Sequence, residues 1–155
     1  GSTFGLAWLG DVNVAEAYSY DLDGAYYAGA TEYPEYLNGD ENLLLAYTHH
    51  GEGFYVDMSS VYCIQQDGPI YYLAGNIYAY DVKRGYISNE PSEERYKYDV
   101  SKGYIYQSTK DIYTHEFVYG TAPFWTARST DEATKAIMSL SKLMWKAYSG
   151  EEWTN

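Results

Sequence analysis

Between Leu43 and Tyr119 the chain is cut into short runs of strand-forming residues by turn clusters, and this punctuation constrains the fold more than any other feature. Leu43 to Thr48, Phe54 to Asp57, Ser60 to Gln65 and Ile70 to Tyr80 are rich in Tyr, Val, Ile and Leu. His49-His50-Gly51-Glu52-Gly53, a bend at Met58-Ser59, and Gln66-Asp67-Gly68-Pro69 divide them. The pattern predicts an antiparallel meander. Lys83-Arg84-Gly85 and Ser88 to Glu94 interrupt it with a polar excursion. Arg95 to Asp99 and Tyr104 to Gln107 then form the clearest hairpin, turning at Val100-Ser101-Lys102-Gly103 with Gly103 free to take a positive φ. Ile112 to Tyr119 supplies a further strand.

A different periodicity closes the chain. Ser129-Thr130-Asp131-Glu132 reads as a capping box, and apolar residues recur at Ala133, Ala136, Ile137, Leu140, Leu143, Met144, Ala147 and Tyr148. Lys142 and Lys146 near the end, and Gly150 beyond it, suit a helix C-terminus. The fold class is therefore α+β: an antiparallel meander over 43–119 with an amphipathic helix, 129–149, packed on it. At 155 residues a single domain accounts for the whole chain. Residues 1–42 form a poorly patterned acidic segment within it.

Charge is distributed unevenly. No lysine or arginine precedes Lys83, whereas twelve acids fall in residues 1–81, so the first half holds the whole formal charge of -12. Nucleic acid is excluded as a partner, because its affinity rests on Lys and Arg neutralising phosphates. No stretch approaches the ~18 apolar residues of a transmembrane helix. Tyrosine occurs 21 times against four each of Phe and Trp. Such rings pack while their hydroxyls reach water or a partner, as in extracellular binding proteins. Gly1-Ser2 read as a cloning remnant, and Phe4 to Leu9 followed by Ala15-Glu16-Ala17 as the tail of a secretory signal or, equally, an N-terminal strand or helix.

Several residue groups are candidates for chemistry. Tyr96 and Tyr98 share one strand face by alternation, with Tyr104 and Tyr106 expected to join them across the hairpin. That four-ring surface is read as core, with a stacking platform as the alternative. Tyr26, Tyr27, Tyr33, Glu35 and Tyr36 fall in a base-free stretch and form the expected binding surface, for a glycan or a cationic protein or peptide. His49, His50, Glu52, Asp57, His115 and Glu116 include metal-ligand types but lack a ligand spacing, and Asp21-Leu22-Asp23-Gly24 fails the calcium-loop frame. No metal or cofactor is therefore expected. Cys63, the only cysteine, lies in the apolar run Val61 to Ile64 and is read as a buried strand residue. Glu32 and Glu35 are a solvated acidic loop before they are a catalytic pair. No nucleophile elbow, phosphate loop or dinucleotide fingerprint is present, so no catalytic residue is assigned.

Phe54-Tyr55-Val56-Asp57-Met58-Ser59-Ser60-Val61, followed by strands and by Tyr98-Asp99 ahead of Lys102 and Tyr104, resembles small secreted bacterial proteins of the surface-adhesin protein E-like group. The resemblance covers residues 43–125. The chain departs from that group in having one cysteine rather than a pair and in its long C-terminal helix. The resemblance implies an exported or surface protein that binds host or envelope partners, and it transfers no catalytic residue. The functional expectation is an exported bacterial binding module, with a small carboxylate-dependent glycan hydrolase and a self-assembling envelope subunit as alternatives.

Overall fold

The computed structural model describes residues 33–88, 90–123 and 132–154. The strands are β1 (Leu43–His49), β2 (Glu52–Asp67), β3 (Ile70–Asp81), β4 (Tyr86–Ile87), β5 (Ser92–Asp99), β6 (Tyr104–Lys110) and β7 (Phe117–Tyr119), and one helix follows, α1 (Glu132–Ser149). They make one antiparallel sheet in the order β1-β2-β3-β5-β6-β7, with β4 continuing beside the end of β3. This is the α+β meander with a C-terminal helix packed on it that the turn spacing predicts.

β2 is one strand where the sequence suggests two. The expected bend at Met58-Ser59 is present as a bulge: pairing with β3 breaks off after Asp57↔Asn76 and resumes at Tyr62↔Ala74. Side chains hold the extra residues, since the Ser59 amide and hydroxyl donate to Asp57 Oδ1 at 3.1 and 2.6 Å and the Asn76 amide donates to Ser60 Oγ at 2.8 Å. A bulge strengthens twist without ending a strand. The strand expected over Ile112 to Tyr119 is shorter than predicted. Asp111 Oδ1 accepts the amides of Tyr113 and Thr114, both at 2.8 Å, which curls 111–116 into a turn and leaves only β7 extended.

The core lies between one sheet face and α1. Alternation and register put Tyr47, Phe54, Val56, Leu73, Ile77, Tyr96, Tyr98 and Ile105 on that face. Leu140, Leu143 and Met144 meet them from the helix, all of these side chains being buried. Gly75 lets the layers close: a Cβ there would stand 3.0 Å from both Met144 Cε and Val61 Cγ2. Tyr98 reaches through the interface to donate its hydroxyl to the Ser141 carbonyl at 2.6 Å. Gly150 ends the helix in the left-handed region, at φ 79, its amide bonded to the Lys146 carbonyl at 2.8 Å. The start of the predicted helix, Ser129 to Asp131, lies outside the described residues.

On the opposite face the described residues cover the sheet only toward β1. There Tyr55 donates to the Pro34 carbonyl at 2.6 Å, Leu45 bonds Glu35 through the backbone, and Tyr33, Leu37, Leu45 and Tyr55 are buried. From β3 to β7 the same face is populated by half-buried tyrosines and charged side chains. No helix among the described residues is long and apolar enough to cross a membrane.

Candidate functional site

Two regions of this sheet collect chemistry: a cleft under α1 and the uncovered face behind it. The cleft arises because α1 lies over β1, β2 and β3, leaving its first turns facing β5 and β6 across a gap. The cavity has a volume of about 280 Å³. Its sheet wall carries Ser92, Glu94, Tyr96, Gln107 and Thr109, all on the helix-facing side by register; its helix wall carries Ala133, Ala136 and Ile137.

Glu94 is the distinctive group. It sits across from Gly75, so no side chain flanks it on β3. Burial pushes its carboxyl up to about 7, against the smaller opposing pull of the Tyr96 hydroxyl beside it. Tyr96 is itself raised well above the usual tyrosine range, first by burial and then by the Glu94 charge. The sequence reading ended its polar excursion at Glu94 and began the strand at Arg95. Carrying the alternation of Tyr96 and Tyr98 two residues back would have set Glu94 on the core side, where a carboxylate is out of place.

The uncovered face gathers Tyr62, Tyr72, Tyr104, Tyr106 and Tyr119 with Arg95 and Lys97. Tyr72 and Tyr119 pack edge to face at 5.1 Å, and the Lys97 ammonium lies 4.9 Å from the Tyr106 ring centre. Arg95 stacks 4.1 Å over Phe117 and pairs with Glu93 at 2.6 Å. Tyr62 is the most open of these rings, 49% exposed.

The four-ring platform expected on the hairpin is divided between the two faces. The turn sets Asp99 opposite Tyr104, so Tyr98 pairs with Ile105 and Tyr96 with Gln107. Tyr96 and Tyr98 are core, while Tyr104 and Tyr106 lie 6.4 Å apart on the other face. In the expected acidic surface, Tyr33 is fully buried, Glu35 and Tyr36 are half-buried beside β1, and Tyr26 and Tyr27 lie outside the described residues. Asp21-Leu22-Asp23-Gly24 and Glu32 lie outside them too. Cys63, expected in the core, is only half-buried, its thiol donating to the Gln65 carbonyl at 3.3 Å. His49 and His50 stack edge to face at 3.9 Å, and among the described residues no three His, Cys, Asp or Glu side chains converge on a metal position.

Several acids on both sides of Lys83 serve as turn anchors. Asp40, Asp57, Asp81, Asp99 and Asp111 each accept the amide of the residue two positions ahead, and Asp81, Asp99 and Asp111 that of the third as well. Asp99 accepts from the Ser101 hydroxyl, which with the neighbouring amides holds its carboxyl below the usual aspartate range. Comparison with protein-family models, with curated proteins and with solved structures gives no match to this chain.

Proposed function

We propose that this protein is an exported bacterial binding module that recognises a glycan on the uncovered face of its sheet. The observation that carries the reading is the row of Tyr62, Tyr72, Tyr106 and Tyr119 on a face that α1 leaves free. Tyrosine rings offer flat apolar surface to the C–H faces of sugars, and their hydroxyls bond sugar hydroxyls. Lys97 and Arg95 supply N–H donors between the rings. Export from a bacterium accords with the tyrosine-rich composition and with the resemblance to small secreted surface proteins.

The test is binding of cell-wall and host-type oligosaccharides by calorimetry to the parent chain and to Tyr72→Ala and Tyr106→Ala. With each ring–sugar contact taken as comparable to an aromatic pair, about 0.5–1.5 kcal/mol, the double variant should bind on the order of tenfold or more weakly. Undiminished affinity in a folded double variant would remove this face from consideration.

One observation favours an enzyme as the second reading. Glu94, in a cleft and raised to about 7, has the character of a general acid. Glycoside hydrolysis requires a second carboxylate across the scissile bond, and Glu94 is the sole carboxylate among the described residues lining the cleft. Glu52 and Asp81 do face each other across β2 and β3, but Asp81 is engaged by the amides of Lys83 and Arg84. Binding is therefore the reading the geometry supports best.

A further inference from the structure

We infer that the cleft between α1 and β5–β6 is a binding site for an alkylammonium group, with the Glu94 carboxylate as its counter-ion. The site lies on the opposite side of the sheet from the proposed glycan face and does not depend on it. Its cavity of about 280 Å³ approaches the range of small-molecule pockets, about 300–1,000 Å³.

The argument rests on what surrounds the carboxyl. No cationic side chain points at it from the neighbouring strands. Arg95 and Lys97 alternate to the far face, where Arg95 pairs with Glu93 and Lys97 lies over Tyr106. Lys110 borders the cavity, and its ammonium lies 5.8 Å from the centre of the Phe117 ring on that far face. Gly75 contributes no side chain from β3, and helical spacing turns Lys135 away from the side of α1 that carries Ala133, Ala136 and Ile137. Besides Glu94, the titratable groups among the described lining residues are Lys110 and the Tyr96 hydroxyl. A half-buried carboxylate with no cation beside it among the described residues is stabilised by one that enters.

The remaining walls match the rest of such a ligand. Gln107 and Thr109 offer oxygen acceptors around an ammonium, while Ala133, Ala136 and Ile137 give a methylene stem an apolar bed. The formal charge of -12 raises the concentration of cations near the protein. A divalent metal would need several carboxylates or imidazoles, which the described walls lack, and a neutral ligand would leave the carboxylate without a counter-charge. The ammonium could belong to a free small amine or to a lysine side chain of a partner protein.

The experiment titrates the full chain with n-butylammonium, with acetyl-lysine-methylamide and with n-butanol, following amide chemical shifts in two-dimensional NMR. The expected result is saturable shifts at Glu94, Gln107 and Ala136 with one or both amines, and at least tenfold weaker binding of n-butanol. Binding by the blocked lysine alone assigns the site to a partner's side chain; binding by butylammonium alone assigns it to a free amine. With Glu94 titrating near 7, amine affinity should fall about tenfold from pH 8 to pH 6 as the carboxyl protonates. Glu94→Gln should abolish that pH dependence and weaken binding tenfold or more. Ala133→Leu, which narrows the cleft and spares the carboxyl, should weaken it as well. Equal binding of n-butanol, or saturable amine binding undiminished in Glu94→Gln, would overturn the assignment, as would the absence of cleft shifts with either amine. Tyr72→Ala should leave amine binding intact, which separates failure here from failure of the glycan reading.

Discussion

Tyr98 donates its hydroxyl to the main-chain carbonyl of Ser141 at 2.6 Å, joining the end of β5 to the middle of α1 inside the core. The ring also packs against Trp145 and Trp153, at centroid distances of 5.2 and 5.6 Å, so one side chain contributes both a hydrogen bond and a large apolar contact. The two contributions are separable by mutation. Tyr98→Phe should cost about 1 kcal/mol, the net worth of one buried hydrogen bond. Tyr98→Ala should cost about 3–5 kcal/mol through the cavity it opens. Urea denaturation of the two variants checks the ratio; equal losses would mean that the hydroxyl, not the ring, dominates.

Gly75 lies where sheet and helix pack tightly. An added methyl would sit 3.0 Å from Val61 Cγ2, which is stiff, and from Met144 Cε, which can yield. Gly75→Ala should destabilise the protein by about 1–3 kcal/mol. A paired Gly75→Ala and Val61→Ala variant should recover part of that loss, read as the difference in urea midpoints.

Glu94 gives stability an unusual dependence on pH. Its folded value, about 7, lies above the ordinary 4.5. The native state therefore binds the extra proton between those values, and this group's contribution is fully present below about pH 4.5 and is lost as pH rises through 7. The full shift corresponds to about 3 kcal/mol, and nearer to 2 kcal/mol once screening at the cleft mouth is allowed for. Melting followed from pH 5 to pH 8 should show this decline. Glu94→Gln should flatten it and be the more stable protein at pH 8.

Asp99 acts with the opposite sign. Its depressed carboxyl stabilises the hairpin turn above its unfolded value and ceases to do so as pH falls through its folded one. Asp99→Ala removes acceptors for the Ser101 and Lys102 amides and should cost about 1 kcal/mol at pH 7. The difference between Asp99→Ala and the parent should shrink in acid, measured as thermal midpoints at pH 7 and pH 3.

The strands and helix were legible because local signals agreed with the fold: alternation in Ile70 to Tyr80, a turn ending at Gly103, and the apolar stripe of α1. Positions where a side chain's direction depends on its partner were less so. Tyr104 and Tyr106 were set beside Tyr96 and Tyr98 by ring type, whereas pairing Asp99 with Tyr104 sends them to the other face. The bulge after Asp57 preserves a strand that the Met58-Ser59 bend suggested was broken. Glu94 was missed because a carboxylate next to another, in a polar run, reads as solvated. Only the placement of α1 over that same side of the sheet closes it in. The acidic half also hides a local role, since Asp40, Asp57 and Asp81 accept amides of their own backbone.

The offset of α1 toward β1, β2 and β3 also sets which part of the molecule breathes. Among the described residues β7 pairs only with β6, half of the paired residues of β6 and β7 are exposed and none is buried, and the helix gives that flank little cover. Its backbone amides should exchange with deuterium through small local openings, while those of β2 and β3, held between neighbours and under α1, should wait for global unfolding. The protein thus has a slow-exchanging trunk and a loose outer margin, and the margin borders both the cleft and the tyrosine face.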